Sequence, residues 1–144
     1  VLKVLGGSPT PRRLLKASDA DLRGAGLSRN KLLAVRDLAA KSLSGEVPPR
    51  KHLETLADEE IVARLTEVRG IGAWTVHMFL IFRLGRLDVL PTGDFAVRKA
   101  FGLLYRKNGR MPPPSALEKH GKRWAPYRTV ASWYLWRSLD GPAG

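Results

Sequence analysis

The sequence predicts an all-α fold. Apolar residues recur at helical spacing, capping and stop signals bound those runs, and no alternating strand pattern reaches useful length. Thr10-Pro11 opens a short helix to Lys16, with proline in its first turn, where a missing N–H costs little. Ser18-Asp19-Ala20-Asp21 caps a second helix that stops at Gly24-Ala25-Gly26. Ser28 caps a longer one with Leu32, Leu33, Val35, Leu38, Ala39 and Leu43 on its apolar face, ending at Gly45. Pro48-Pro49 breaks the pattern. Asp58-Glu59-Glu60 begins the next helix, which carries Ile61, Val62 and Leu65 into a Gly70-Ile71-Gly72 hairpin. The second hairpin helix runs from about Ala73 to Gly85. An extended link from Leu87 to Thr92 leads to a helix from Asp94 to about Tyr105. Pro112-Pro113-Pro114-Ser115 is a stiff spacer before a helix around Leu117 to Trp124. The last helix starts near Pro126 and carries Val130, Trp133, Tyr134 and Trp136. Two helical lobes are expected, residues 1–87 and 88–144.

Composition narrows the chemistry. The chain has 144 residues, 44% of them hydrophobic, enough for one compact domain or two small lobes. No apolar run approaches the roughly 20 residues of a membrane span, and no signal-peptide pattern opens the chain. Cysteine is absent, which excludes disulfides, thiolate zinc sites and iron–sulfur clusters. Twenty-five Lys and Arg against 13 acidic residues give a formal charge of +12. That charge favours a polyanionic partner, without separating DNA from RNA, ribosome or anionic lipid.

Two local features propose more. Gly70 and Gly72 make a tight hairpin in which a Cβ would strain the turn and hold a phosphate away from the backbone N–H groups. Asp94 follows Pro91-Thr92-Gly93 at the start of a helix, where the dipole favours the ionised carboxylate. Asp88, in the extended link, is the rival carboxylate and reads as a structural hydrogen-bond group.

Leu65-Thr66-Glu67-Val68-Arg69-Gly70-Ile71-Gly72-Ala73-Trp74-Thr75, followed by Leu90-Pro91-Thr92-Gly93-Asp94-Phe95-Ala96-Val97-Arg98-Lys99-Ala100-Phe101, resembles the helix-hairpin-helix DNA glycosylase superfamily. Within it the 3-methyladenine DNA glycosylase II type is most similar. Pro9 to Ala40, especially Gly26-Leu27-Ser28-Arg29-Asn30-Lys31, resembles the helices before the family's hairpin. Trp124-Ala125-Pro126-Tyr127-Arg128 resembles the start of its last helix. The family's preceding Gln-rich helix, which carries the side chain wedged into DNA, and the β-rich domain of some members have no counterpart. Since the chain also begins at Val1, without Met, further N-terminal sequence is expected.

The resemblance implies a helix-hairpin-helix glycosylase fold with an active-site cleft between two lobes. It implies base-excision repair by hydrolysis of the N-glycosidic bond of alkylated purines, 3-methyladenine and 7-methylguanine, in duplex DNA. Asp94 takes the catalytic position. Trp74, Trp136, Phe95 and Met78 take base-binding positions, with Met78 where a close relative would carry Tyr. Gly70, Gly72, Thr75 and Arg128 fall on the DNA backbone, Arg128 alternatively tying the last helix to the cleft. The backbone carbonyls of Thr66, Val68 and Ile71 take the place of ligands to a structural Na+ or K+, and no cofactor is required for the chemistry. Trp74 stands where the superfamily's lyases carry a Schiff-base lysine, so hydrolysis without strand cleavage is expected. Trp124 and Trp133 read as core or interlobe packing. The implied protein is a monomer working on damaged double-stranded DNA in the cytoplasm, at the bacterial nucleoid, with no membrane partner. The alternatives are a non-catalytic helix-hairpin-helix docking module, a glycosylase for deaminated or oxidised bases and, more remotely, a ribosomal or RNA-binding protein.

Overall fold

The computed structural model describes residues 3–141. Among them the regular elements are helical and no strand occurs. The side chains of Thr10, Ser18 and Ser28 accept hydrogen bonds from the N–H groups of Arg13, Asp21 and Lys31. Each thereby satisfies an orphan donor at the start of α1 (Pro11–Lys16), α2 (Asp19–Gly24) and α3 (Arg29–Ser44). Pro48-Pro49 does more than interrupt. Pro49, extended at φ −63° and ψ 155°, is the N-cap of a four-residue helix, α4 (Arg50–Leu53), which buries Leu53. α5 (Asp58–Thr66) has Asp58, Glu59 and Glu60 at its dipole-positive end and buries Ile61 and Leu65.

The described residues gather into two compact units, the first ending at Gly72 and the second starting at Ala73. That division precedes the expected 87/88 boundary because of α6 (Ala73–Phe82). Trp74 of α6 hydrogen-bonds Asp94, and Phe82 stacks on Trp136 at a ring separation of 6.0 Å, so the helix belongs with the C-terminal half of the chain.

In the first unit Leu5, Leu22 and Leu32 form a buried cluster on which Leu14, Ala17 and Leu27 pack. Burial of such a side chain contributes about 1.5–3 kcal/mol. Leu43, expected on the apolar face of α3, is 50% exposed in its last turn. Arg36 of α3 ties α1 down by donating to the carbonyls of Leu14 at 2.9 Å and Ala17 at 2.7 Å.

The second unit packs α7 (Phe95–Tyr105), α8 (Pro114–Gly121) and α9 (Arg128–Ser138) around Leu90, Val97, Ala100, Phe101, Leu117 and Leu135. A 3-10 turn, Lys122–Trp124, follows α8, so the last helix begins at Arg128 rather than Pro126. Trp124 packs against this cluster as expected, whereas Trp133 is 46% exposed. The residues after α7 fold back on it, and Arg98 donates to the Pro112 carbonyl at 3.0 Å. A Cβ on Gly102 would lie 2.6 Å from the Arg110 carbonyl oxygen, so only glycine admits that return. No helix among the described residues is long and apolar enough to cross a membrane.

Between α5 and α6 the Ile71 amide donates to the Val68 carbonyl at 3.0 Å. The two hairpin glycines differ. Gly70 has φ +78°, and a Cβ there would stand 3.1 Å from the Ala34 Cβ; Gly72 has neither constraint, and a Cβ on it would meet open space. The expectation that both glycines are needed to relieve strain therefore holds for Gly70 alone. Gly70→Ala should cost about 1–2 kcal/mol of stability, the penalty of a left-handed alanine. Gly72→Ala should stay within about 0.5 kcal/mol of the parent. Urea unfolding of the two variants checks this; equal losses would refute the distinction.

Candidate active site

Asp94 ends an extended link that is anchored from far along the chain. Thr129, fully buried, accepts from Val89 N–H at 2.9 Å and donates to the Arg86 carbonyl at 2.7 Å. The Thr129 amide donates to the Leu87 carbonyl at 2.9 Å. Between these anchors Arg128 grips Asp88 in a bidentate pair, Nε to Oδ1 at 2.7 Å and Nη2 to Oδ2 at 2.9 Å. Asp88 is held below the usual carboxylate range, chiefly by that side-chain bond and against the upward push of burial. Arg128, expected on the DNA backbone, is engaged in this internal pair because Asp88 presents both oxygens to its planar fork.

The link delivers Asp94 to the N-cap of α7, where Oδ1 accepts from Val97 N–H at 2.8 Å. Two indoles then close on the same carboxylate. Trp74 Nε1 donates to Oδ2 at 2.8 Å, and Trp136 Nε1 donates to Oδ1 at 3.0 Å. Asp94 is only 8% exposed, and burial by itself would raise its pKa. The Val97 amide, the two indoles and the Ala96 amide more than offset that penalty, and the carboxyl lies below its ordinary value. A buried carboxylate is thus kept ionised by donors that carry no full positive charge.

The structure brings Trp74, Asp94 and Trp136 together within the second unit. Trp74 remains 52% exposed although its N–H is bound, which leaves indole surface for stacking. Phe95, next to Asp94 and first in α7, is exposed; Met78, one turn after Trp74 on α6, is half-buried. Phe82 is a site residue that sequence reasoning misses. It lies one further turn along α6 and stacks on Trp136, so Trp74, Met78 and Phe82 form a stripe at four-residue spacing. That spacing is the signal that could have found it.

Gly70, Gly72 and Thr75 are all exposed around the hairpin and the first turn of α6. Thr66 is the last residue of α5, at the end where the helix dipole is negative. Lys41 Nζ already donates to the neighbouring Glu67 carbonyl at 2.7 Å, so this turn offers backbone oxygen to a cation. The Thr66, Val68 and Ile71 carbonyls are oxygen donors of the kind a monovalent ion takes, and that of Val68 already accepts from the Ile71 amide.

The model of the HhH-GPD superfamily base excision DNA repair proteins matches residues 2–126. DNA-3-methyladenine glycosylase 1 of Schizosaccharomyces pombe is 38% identical over 133 residues, spanning 92% of this chain and 58% of its own length. The structure of the S. pombe 3-methyladenine DNA glycosylase Mag1 in complex with abasic DNA has a TM-score of 0.82 at 36% identity, covering 95% of this chain and 66% of that one. A DNA-3-methyladenine glycosidase from Bacillus halodurans has a TM-score of 0.83 at 38% identity, with 94% and 62% covered. The chain therefore spans 58–66% of the length of these relatives. With a family match over residues 2–126, the chain belongs to the HhH-GPD superfamily of base excision DNA repair proteins.

Proposed function

We propose that this chain is the catalytic part of a monofunctional N-glycosylase that releases alkylated purines, 3-methyladenine and 7-methylguanine, from duplex DNA. The observation that carries the reading is the buried, ionised Asp94 carboxylate held by the Trp74 and Trp136 indoles. A purine alkylated at N3 or N7 is cationic. When its C1′–N9 bond breaks, the electron pair goes to the base, which leaves neutral, and the sugar becomes an oxocarbenium ion. Asp94 stabilises that ion electrostatically. Its lowered pKa makes it a weak base, so charge stabilisation is its main work. Water adds at C1′, and the proton is lost afterwards from the resulting oxonium. Exposed indole surface on Trp74 accepts the flipped, electron-poor base, a contact worth roughly 1–2 kcal/mol. Trp74 has no amine for a Schiff base, and an abasic site is the product. A docking module would need the hairpin but not this carboxylate and its paired indoles.

The hairpin amides at Gly70 and Gly72 hold a DNA phosphate, and the Thr66, Val68 and Ile71 carbonyls hold Na+ or K+, which stiffens the turn. The chain acts as a monomer on chromosomal DNA, in a bacterium at the nucleoid. The S. pombe relative's complex with abasic DNA supports the DNA contact. Replacing sodium and potassium by tetramethylammonium at constant ionic strength should lower DNA affinity, and adding either ion back should restore it. Unchanged affinity would remove the ion from the account.

Asp94→Asn tests the chemistry. Single-turnover release of 3-methyladenine or 7-methylguanine should fall by about two to three orders of magnitude, the worth of preorganised charge stabilisation. The carboxamide NH2 also cannot accept from an indole N–H, so one tryptophan loses its partner and tryptophan emission should shift. Near-normal release would remove Asp94 from the catalytic position.

The lowered pKa sets a pH profile. Asp94 is ionised above the ordinary aspartate range, and its contribution to rate and stability is lost only as the pH falls through its lower folded value. Base release should therefore be flat from about pH 8 to about pH 5. A fall beginning near neutrality would show that another group limits the rate.

A further inference from the structure

The hairpin is held from behind by two residues that the catalytic reading does not use. Asp37 and Lys41 are one turn apart on α3. Asp37 Oδ2 accepts from the Arg69 amide at 2.7 Å and from Lys41 Nζ at 2.9 Å, and Lys41 Nζ donates to the Glu67 carbonyl at 2.7 Å. Both side chains are partly buried, and the bonds reach residues 32 and 26 positions along the chain.

We propose that Asp37 and Lys41 are the positioning pair of the hairpin, fixing which of its backbone groups meet DNA and which meet the cation. This rests on the DNA-gripping role proposed for the hairpin. Asp37 occupies the Arg69 amide, and the Val68 carbonyl occupies the Ile71 amide, so an external phosphate falls to the Gly70 and Gly72 amides. Lys41 occupies the Glu67 carbonyl, leaving the Thr66 carbonyl and the second lone pair of the Val68 carbonyl for an ion.

The electrostatics require both partners. A lone carboxylate behind a phosphate site would repel the phosphate, and a lone ammonium would repel the cation; paired, the two leave hydrogen bonding with little net charge. Asp37 is held ionised, first by the Arg69 amide and then by Lys41. A simple surface i,i+4 ion pair would not need either backbone bond.

The test uses the whole chain and a fluorescent duplex containing an abasic-site analogue, at one salt concentration. Asp37→Ala should weaken binding about tenfold, as expected for loss of a charge-assisted hydrogen bond that sets the binding geometry. Asp37→Asn keeps an oxygen for the Arg69 amide but leaves the Lys41 charge uncompensated, so its affinity should fall between those of Asp37→Ala and the parent. Combining Asp37→Ala with Gly72→Ala should cost no more than about twofold beyond the worse single change, because both act through one contact. Hydrogen exchange at the Arg69 amide, read without DNA, should quicken by at least about tenfold in Asp37→Ala and not in Asp37→Asn. If Asp37→Ala fails to fold, Lys41→Met, which frees Glu67 and keeps the Arg69 bond, should weaken binding in its place.

Asp37→Ala that folds and binds like the parent, or losses that multiply with Gly72→Ala, would overturn the positioning role. Parent-like binding by Lys41→Met would overturn it where that variant replaces Asp37→Ala. Gly72→Ala without effect would overturn the hairpin's DNA role and this proposal together, whereas silence at Asp37 alone leaves the hairpin's role standing.

Discussion

The second unit turns on one carboxylate. Asp94 starts α7 by accepting from Val97 N–H, orients the Trp74 indole through Oδ2 and the Trp136 indole through Oδ1, and carries the buried negative charge. Desolvation opposes that charge more strongly than any single donor supports it; only the donors together prevail. Helix start, ring orientation and charge are therefore coupled. An altered tryptophan at either position changes the ionisation of Asp94 as well as the aromatic surface around it.

Charge is distributed unevenly. Several acidic residues are engaged with cations, as in Asp19 with Arg36, Asp37 with Lys41, Glu54 with Arg50, Glu60 with Arg64, and Asp88 with Arg128. Between Phe95 and Tyr127 the chain carries Arg98, Lys99, Arg106, Lys107, Arg110, Lys119, Lys122 and Arg123 against Glu118 alone. The excess positive charge thus concentrates after Asp94, and most of it is exposed. Such a field draws polyanions without discriminating among their sequences.

Local chemistry was legible from the residues. Thr10, Ser18 and Ser28 cap their helices because a cap needs only its own side chain and an amide three positions on. Asp94 could be placed at a helix start for the same reason. What escaped depends on distant partners or on the surface left after packing. Asp37 looked like one more polar residue of α3 until Arg69 was seen against it, and Arg128 could not be matched to Asp88 from spacing alone. The glycines show the same limit. Gly70 and Gly72 look alike in sequence, but only Gly70 has a positive φ and Ala34 beside it.

The anchoring of the link by Thr129 has a consequence for the order of assembly. Asp94 is synthesised well before Thr129 and Trp136, yet those residues hold the Arg86–Val89 backbone and complete the carboxylate's donors. A nascent chain that stops short of α9 contains Asp94 without its setting. Closing these contacts across some forty residues costs loop entropy, repaid when α9 packs its Leu135 into the cluster with Val97 and Phe101. The buried carboxylate with its two indole donors is thus among the last parts of the described chain to be completed.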